Sequence, residues 1–385
     1  MTITDWDAII VGAGPAGAAL ACRLSPQRRV LLLERSMPRA PTTPRIGESL
    51  PGAARVLLQR CGAFDHFLAA GHRERGATVS QWEGDAPNWF DHLRDPHGPG
   101  WHLDRARFDA DLREAAVAAG ASLRIEGGAL RASRVGDHWQ IEVDASAQTH
   151  RAPVLVDATG RNAAIARQLG IARHVDDELI CLHAYLLPDP NDEDQCTRIA
   201  ADINGWWYSV RVPDGQRVLA FHLDADDGEL HALRQLPDLL AKARRQTVLA
   251  DVLPAAADGS VHARPAGSAA LDRDAMRRCA PGFFAIGDAL LSFDPIASQG
   301  IFHALASAES AARALEPDAV DPSAARDAFL AEMDAVHAHY RQRFVDTYAA
   351  PRREGQYAFW RRRYRGEGAV TDALPAATDP PVPRT

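Results

Sequence analysis

The chain has 385 residues, and 43 Lys and Arg against 51 Asp and Glu give it a formal net charge of −8 at pH 7. Hydrophobic residues make up 46% of it and charged residues 24%, which is typical of a globular protein and excludes a disordered chain or a fibre. The acidic balance argues against a nucleic-acid-binding protein. Because no apolar run reaches about 18 residues, we expect no membrane-spanning helix. The N-terminus shows no signal-peptide pattern, which favours a cytoplasmic protein.

The five cysteines are scattered and form no CxxC pair. We therefore expect neither a disulfide framework nor a metal site. Lys242 is the only lysine of the chain, so nearly all of the positive charge is carried by arginine.

The first element in chain order is a nucleotide-binding pattern. Residues 7–11 predict a buried strand, residues 18–24 a helix, and residues 30–33 a second strand that ends at Glu34. The first turn reads Gly12-Ala13-Gly14-Pro15-Ala16-Gly17. Its glycines allow a tight turn, a close approach of the backbone to a pyrophosphate, and close packing of the helix on the strand. The carboxylate of Glu34 can accept ribose hydroxyls, so this segment predicts a dinucleotide site.

Further along the chain, the pattern predicts helices at 53–61, 104–119, 236–249, 302–315 and 324–349. Residues 179–225 are rich in strands, with a hairpin turn at Pro213-Asp214-Gly215. An antiparallel sheet there would supply the wall of a substrate pocket.

Three separated motifs carry a family resemblance: the glycine turn with Glu34, Asp157-Ala158-Thr159-Gly160-Arg161, and Gly287-Asp288-Ala289. Together they resemble the FAD-binding pattern of glutathione-reductase-type flavoproteins, in the para-hydroxybenzoate hydroxylase-like branch. The resemblance implies an α/β fold with a Rossmann FAD-binding domain, an inserted antiparallel-sheet substrate domain and a helical C-terminus. It also implies that Asp288 contacts the ribityl chain. No second glycine fingerprint is present, so FAD is the bound cofactor and electrons come from transient NAD(P)H or from a separate flavin reductase.

The implied domain boundaries divide the chain into seven segments. The FAD-binding domain takes residues 1–75, 104–175 and 266–318, and the substrate domain takes residues 76–103 and 176–265. Residues 319–365 form C-terminal helices, and residues 366–385 are expected to be a disordered tail.

Two longer motifs, Ile46–Pro51 and Gly287–Ile301, look like those of the tryptophan-halogenase and geranylgeranyl-reductase group. In that group the second motif runs close to the flavin ring. Halogenation is disfavoured because the halogenases use a catalytic lysine in the N-terminal third, where this chain has none. The halogenase Gly-Trp-x-Trp-x-Ile-Pro signature is also altered to Gly205-Trp206-Trp207-Tyr208 with a displaced proline. The set of motifs is more similar to flavoproteins that mature quinone-cofactor amine and amino-acid oxidases, which implies hydroxylation of tryptophan in a partner protein.

This resemblance implies a monooxygenase that attacks an aromatic, tryptophan- or indole-type substrate through a flavin C4a-hydroperoxide. The substrate could be a small molecule, a peptide or a residue of a partner protein. The implied cofactor contacts are Gly12, Gly14, Ala16, Gly17, Glu34, Arg35, Arg45, Ser49, Arg107, Gly160, Asp288, Pro295, Ser298, Gln299, Gly300 and Ile301.

The candidate acid–base groups are Glu48, Asp294, His183 and His222, with His303 as a further histidine. Trp206 and Tyr208 are expected to border the substrate. Each has a structural alternative: Glu48 could cap a helix, Asp294 could shape a turn, the histidines, Trp206 and Tyr208 could be packed in the core, and Arg107 could form a surface ion pair. The basic aromatic stretch Tyr357–Arg363 could dock an acidic partner or pack the last helix.

Three other functions stay open at this point. They are an FAD-dependent reductase or dehydrogenase of the geranylgeranyl-reductase type, a flavin-dependent halogenase, and a non-catalytic maturation scaffold.

Overall fold

A parallel sheet covered on both faces forms the first half of the fold. The computed structural model describes residues 3–35, 46, 48–144, 146, 148–316, 321–351 and 353–364. All neighbouring strands of this sheet run parallel. They are short apolar runs because both faces are buried, as Ile9, Ile10 and Leu31 show. In spatial order the strands are Phe283–Ala285, Val154–Asp157, Ala8–Val11, Val30–Glu34 and Ser122–Ile125.

Helix Pro15–Leu24 connects the neighbouring strands Ala8–Val11 and Val30–Glu34. It packs against helices Arg105–Ala118 and Gly300–Ala314. Proline at its first position costs no hydrogen bond, and its small residues let the neighbouring helices approach closely. The strand–turn–helix–strand unit is therefore the one that the glycine turn predicts, and the α/β fold is confirmed.

Smaller sheets surround this layer. Strand Ile3–Asp5 joins a meander of Gln148–Ala152, His138–Val143 and Leu130–Val135. One three-stranded sheet contains Arg173–Val175, Ala269–Leu271 and Leu291–Ser292. A second contains Ser49–Leu50, Trp101–His102 and Arg73–Glu74.

A seven-stranded sheet forms the other half of the fold. Its central strands, Ile180–Leu186, Arg217–Leu223, Gly205–Arg211 and Thr197–Asp202, pair antiparallel. Segments 77–91 and 180–265, which the sequence assigns to a substrate domain, contribute all of its strands. The remaining three strands are His262–Pro265 at one edge and Ala77–Gln81 with Asn88–Asp91 at the other.

Alternation along these strands gives the seven-stranded sheet two different faces. One face packs into the core of the parallel-sheet half and is called the inner face; it includes Cys181, Trp206, Tyr208, Val210, Val218 and Ala220. The opposite face is called the outer face; it includes Leu182, Trp207, Leu219 and Phe221. Helices Leu236–Ala243 and Thr247–Ala250 cover the outer face.

The other helices lie around the two halves. They are Ala54–Arg60, Phe64–Ala69, Ala164–Gln168, Arg273–Arg278, Pro322–Ala349 and Ala358–Tyr364. Single 3₁₀ turns occur at His92–Arg94, Gly160–Asn162, Ala232–Arg234, Gly287–Ala289, Pro295–Ala297 and Glu354–Gln356. Within the described ranges, every helix is too short or too polar to cross a membrane. The expected tail at 366–385 lies outside the described residues.

Candidate active site and cofactor cradle

The three glycines of the first turn occupy three different environments. Gly12 has φ +105°, and an added Cβ would lie 2.3 Å from the Ala158 carbonyl oxygen. At Gly17 an added Cβ would lie 1.9 Å from the Gly12 carbonyl oxygen. At Gly14 it would meet nothing within 4 Å. Gly12 and Gly17 therefore allow the tight packing, whereas Gly14 borders open space at the N-terminus of the helix.

Two more motif glycines border open space close to this turn. An added Cβ at Gly160 or Gly300 would also meet nothing within 4 Å. Gly287 brings the third motif into contact with the helix, since its added Cβ would lie 2.9 Å from the Ala16 Cβ. The three sequence motifs thus meet around one open cradle at the carboxyl ends of the parallel strands, where ligands bind in sheets of this kind.

Charged side chains line the turns of this cradle. Glu34 accepts a hydrogen bond from Ala13 N at 2.8 Å, which leaves further lone pairs for a ligand. Arg35 is exposed, and its backbone N–H donates to Glu34 Oε1 at 2.9 Å. The buried Arg113, which the sequence pattern did not single out, lies under the turn with Nη1 3.5 Å from the Ala13 carbonyl oxygen.

Asp288 lies beside Arg161, with 3.5 Å between its Oδ2 and Arg161 Nε. Burial raises the pKa of Asp288 above its usual value, while the charges of Arg161, Arg173 and Arg105 oppose that rise. Arg173 Nη1 donates to the carbonyl oxygen of Asp288 at 3.0 Å and so holds its backbone in place.

The segment from Asp294 to Gly300, which we call the 294–300 loop, ends at helix Gly300–Ala314. Asp294 caps its 3₁₀ turn, because Oδ1 accepts from Ile296 N at 2.8 Å. Ser298 has φ +50°, a left-handed conformation that is uncommon for a residue other than glycine. Ser298, Gln299 and Gly300 are exposed, whereas Ile301 is buried.

A polar cluster lies where the parallel-sheet half of the fold meets the inner face. The buried Glu48 accepts hydrogen bonds from Tyr185 Oη at 3.0 Å and from Tyr208 Oη at 3.4 Å. Ser49 Oγ lies 3.4 Å from Tyr208 Oη. Glu48 is therefore held by two tyrosines of the inner face. It does not cap helix Ala54–Arg60, whose N-cap is Ala53.

Burial and the negative charge of Glu48 raise the pKa values of Tyr185 and Tyr208 above that of free tyrosine. Both hydroxyls therefore stay protonated at neutral pH and act as donors toward Glu48. Arg105 is close enough for its charge to interact with Glu48 and Tyr185. The cluster combines one carboxylate, two neutral hydroxyls and one guanidinium.

The candidate histidines are packed inside the fold. His222 stacks on Trp206, with ring centroids 3.7 Å apart, and burial lowers its pKa to about 3. His183 is buried on the inner face, 6.3 Å from Tyr185 between ring centroids. Burial lowers the pKa of His303 to about 4, and its ring lies against Phe293. His183 and His222 lie on the inner face, and His303 lies on helix Gly300–Ala314. The lowered pKa values of His222 and His303 keep both rings neutral at neutral pH.

Trp206 and Tyr208 differ although both lie on the inner face. Trp206 is buried, stacks on His222 and donates to Tyr348 Oη at 2.9 Å, so it acts as a packing residue. Tyr208 joins the Glu48 cluster.

The sequence model of the tryptophan halogenase family matches residues 85–377. The chain belongs to this family. It is also 27% identical over 366 residues to LodB of Marinomonas mediterranea, named as an FAD-dependent oxidoreductase, with 94% of this chain and 97% of LodB covered. The protein is therefore an enzyme of the FAD-dependent oxidoreductase type.

Two solved structures show how the family's fold is shared. The myxobacterial chondrochloren halogenase CndH superposes with a TM-score of 0.79 at 21% identity, covering 96% of this chain and 87% of CndH. The peptidyl tryptophan dihydroxylase QhpG superposes with a TM-score of 0.72 at 23% identity, covering 98% of this chain and 82% of QhpG. At these identities the likeness shows the fold.

The residues of the cradle fit the FAD that the family uses. Gly14 and the helix N-terminus leave room and free N–H groups for a pyrophosphate. Glu34 can accept ribose hydroxyls, Asp288 can accept from the hydroxyls of a ribityl chain, and the exposed Ser298–Gly300 backbone can face the flavin ring. Arg113 adds a buried positive charge below the phosphate turn.

One predicted cofactor contact is not brought to the cradle. Arg107 is exposed and pairs with Asp111 on its own helix at 3.7 Å, which is the surface ion pair named as its alternative. Arg105, two residues earlier, points inward instead, donating to the Ile46 carbonyl oxygen at 3.2 Å and pairing with Asp109. Arg45 lies outside the described residues.

Lys242 lies behind the seven-stranded sheet. Its Nζ pairs with Glu229 at 2.8 Å and stands 5.3 Å from the centre of the Phe221 ring, which belongs to the outer face. Lys242 therefore lies on the opposite side of the sheet from the Glu48 cluster.

The C-terminal aromatic and basic stretch packs against the body. Trp360 is buried and donates to the Asp202 carbonyl oxygen at 2.8 Å. Arg363 is buried between Asp177 at 3.0 Å and Asp224 at 2.7 Å. This is the packing alternative, and only part of the stretch, including Arg361, is exposed.

Proposed function

We propose that the protein is an FAD-dependent monooxygenase that hydroxylates an electron-rich aromatic ring of the tryptophan or indole type. One observation carries this proposal. The only lysine lies on the outer face in ion pairs, whereas the inner face presents a carboxylate held by two tyrosine hydroxyls. A halogenase of this family needs a lysine at the substrate side, and hydroxylation needs none. The name of QhpG, a peptidyl tryptophan dihydroxylase, supports the same reaction class.

The reaction inserts one atom of dioxygen into an aromatic C–H bond and reduces the other atom to water. Two electrons are required, and reduced FAD supplies them together with the activated oxygen. The ring proton that the new C–O bond displaces must leave the ring. The protein has to hold the ring near the cofactor and exclude water from it.

Glu48 is the best-placed group for that proton. Its carboxylate lies between the cradle and the inner face, and Tyr185 and Tyr208 fix its orientation. The tyrosines stay protonated, so they orient the carboxylate and do not compete with it as bases. Asp294 is assigned to shaping its loop, because one carboxylate oxygen caps the turn through Ile296 N and the other accepts from Tyr348 Oη.

An exposed apolar patch supports a polypeptide as the substrate. Trp89, Phe90 and Leu93 are 63%, 54% and 77% exposed, and they lie on or next to the edge strand Asn88–Asp91. Trp89 pairs with Val79 of the outer face and Phe90 pairs with Thr78, so the two rings extend from opposite faces of this strand, and an edge with such exposed apolar side chains marks a contact surface. Ser80 links this strand to the site, because it pairs with Asn88 and with Ile199, the strand partner of Tyr208. A substrate polypeptide could contact the patch while its tryptophan reaches the inner face.

The electron donor follows from the single nucleotide fingerprint. The chain offers one dinucleotide turn, which FAD occupies, so NAD(P)H must bind transiently or a separate flavin reductase must supply reduced FAD. Adding NAD(P)H and measuring flavin bleaching with and without a flavin reductase distinguishes the two sources.

Product analysis tests the proposed reaction. The protein would be incubated with chemically reduced FAD, labelled dioxygen and bromide, and with tryptophan, indole, tryptophan-containing peptides and a polyprenyl compound as trial substrates. We expect products that carry one labelled oxygen and no bromine. Brominated products would establish the halogenase alternative, and reduction of a polyprenyl double bond would establish the reductase alternative.

A further inference from the structure

A chain of buried hydrogen bonds connects the inner face to the 294–300 loop. Trp206 Nε1 donates to Tyr348 Oη at 2.9 Å, and Tyr348 Oη donates to Asp294 Oδ2 at 2.9 Å. The three side chains are at most 1% exposed. An indole N–H can only donate, so the tyrosine oxygen accepts from Trp206 and its own proton must point to Asp294. The direction of this chain of hydrogen bonds is therefore fixed, from Trp206 through Tyr348 to Asp294.

Helix Pro322–Ala349 holds the start of the loop at two points. Tyr340 Oη accepts from the backbone N of Asp294 at 3.0 Å, and Tyr348 Oη donates to the carboxylate of the same residue. The other carboxylate oxygen caps the turn through Ile296 N. Both the backbone and the side chain of Asp294 are thus fixed from outside the loop.

The loop beyond Asp294 depends on such support. It passes through Ser298 in a left-handed conformation, which costs free energy for any residue other than glycine and persists only where neighbouring contacts impose it. Ser298 N donates to the Pro295 carbonyl oxygen at 2.9 Å within the turn that Asp294 caps, and the Gln299 carbonyl oxygen accepts from His303 N at 2.7 Å at the start of the helix. The position of the exposed residues is therefore set at both ends, and Asp294 is the upstream support.

Packing of the Tyr348 ring does not explain why this position carries a hydroxyl group. It packs among Phe344, Phe359 and Trp360, and a phenylalanine would fill the same space. The hydroxyl adds only the two bonds of the chain. The carboxylate that it meets is buried, and the positive charges of Arg363 and Arg161 favour its ionised form.

We propose that Tyr348 is a positioning residue that couples Trp206 of the inner face to Asp294 of the 294–300 loop, so that packing at the substrate sheet sets the position of the bound flavin. This inference rests on the proposed function only in taking the 294–300 loop as the flavin-facing segment. It adds a residue of the C-terminal helices to the machinery of the site. It also predicts communication between substrate binding and the spectrum of the flavin.

The test compares Tyr348→Phe with the matched control Tyr357→Phe, whose ring is exposed near the same end of the chain. The readouts are the dissociation constant of FAD, the visible absorption spectrum of the bound flavin and its midpoint potential, measured on the full chain together with Tm. We expect Tyr348→Phe to weaken FAD binding by about tenfold and to shift the spectrum. Tyr357→Phe should leave all of these readouts within about twofold of the wild type.

Trp206→Phe provides the second arm, because it removes the first donor of the chain without touching the loop. We expect it to shift the flavin spectrum in the same direction, and we expect the double variant to be no worse than Tyr348→Phe alone. This arm also keeps the test decisive if Tyr348→Phe does not fold. A spectrum unchanged in Trp206→Phe, or fully additive effects on FAD binding, would overturn the coupling.

A lower Tm in Tyr348→Phe with unchanged FAD affinity and spectrum would show that the hydroxyl is merely structural. These outcomes are separate from the fate of the proposed function. A wild-type protein that binds FAD but forms no hydroxylated product would contradict the monooxygenase, while the spectra of the variants would still decide the coupling.

Discussion

The two faces of the seven-stranded sheet are made by the same strands, yet their polar groups are arranged differently. The outer face packs leucines and Phe221 against two helices, and its buried Arg198 and Arg217 are held in ion pairs with aspartates. The inner face carries His183, Tyr185, Tyr208 and His222 among its apolar residues and meets Glu48. Buried polar groups cost stability unless they are paired. We therefore expect the outer face to contribute mainly stability, whereas the proposed function assigns the chemistry to the inner one.

The largest expected effect comes from the inner face. Glu48→Gln keeps the shape of the side chain but removes its ability to take a proton. We expect kcat to fall by about 100-fold or more, a size typical of a lost general base, while FAD affinity changes little. Steady-state kinetics and a flavin titration measure the two quantities. Glu229→Gln, which alters the ion pair of Lys242, is the matched control, and an equal loss of kcat there would contradict the division between the faces.

An outer-face truncation should show the reverse pattern. Leu239 is fully buried on the helix that covers the outer face. Leu239→Ala removes buried apolar contacts and should lower the free energy of unfolding by about 2–5 kcal/mol. FAD affinity and KM should stay near the wild-type values below the unfolding temperature. Chemical denaturation monitored by fluorescence gives the stability, and a changed flavin spectrum in the folded variant would argue against independent faces.

The buried histidines make the inner side sensitive to acid. The pKa of His222 is lowered from 6.5 to about 3 by burial, so below pH 6.5 the unfolded chain binds a proton that the folded chain does not. Its contribution to stability is therefore complete above pH 6.5 and is lost as the pH falls toward 3. His222→Gln should flatten the loss of stability below pH 6.5 by about 1.4 kcal/mol per pH unit. Denaturation curves of the wild type and of His222→Gln taken across this pH range give the two slopes.

The smallest effect is expected at Lys242. Its pairs with Glu229 and Asp202 lie at the margin of the outer face. Lys242→Met should lower the free energy of unfolding by about 1 kcal/mol or less, because one partner is exposed to solvent. Turnover should stay within about twofold of the wild type. Thermal unfolding and product formation rates check both expectations.

The sequence could predict the cradle because its parts are local. A glycine turn between a strand and a helix has one geometry, and Gly12, Gly14 and Gly17 occupy the environments that their spacing indicates. The Glu48 cluster was only half predictable. Glu48 and Tyr208 stand out because each lies in a family motif, whereas Tyr185 lies in none. The contacts of both tyrosines with Glu48 join positions 137 and 160 residues apart and are created by packing of the two halves.

Three further features of the structure could not be predicted from the sequence pattern. Arg105 and Arg107 are close in sequence, but a helix turns by about 100° per residue, so only one of them can face inward. Composition cannot decide which. Ser298 gives no warning of its left-handed conformation, since glycine is the residue that usually signals it. The predicted helix over 236–249 is two helices, Leu236–Ala243 and Thr247–Ala250.

In the proposed function the inner face transfers oxygen without help from the only lysine. The experiment that tests this is the isotopic and halogen content of the product that Lys242→Met forms from a tryptophan-containing substrate, with reduced FAD, labelled dioxygen and bromide present. We expect one labelled oxygen, no bromine, and a yield equal to that of the wild type. A brominated product from the wild type that disappears in Lys242→Met would contradict it.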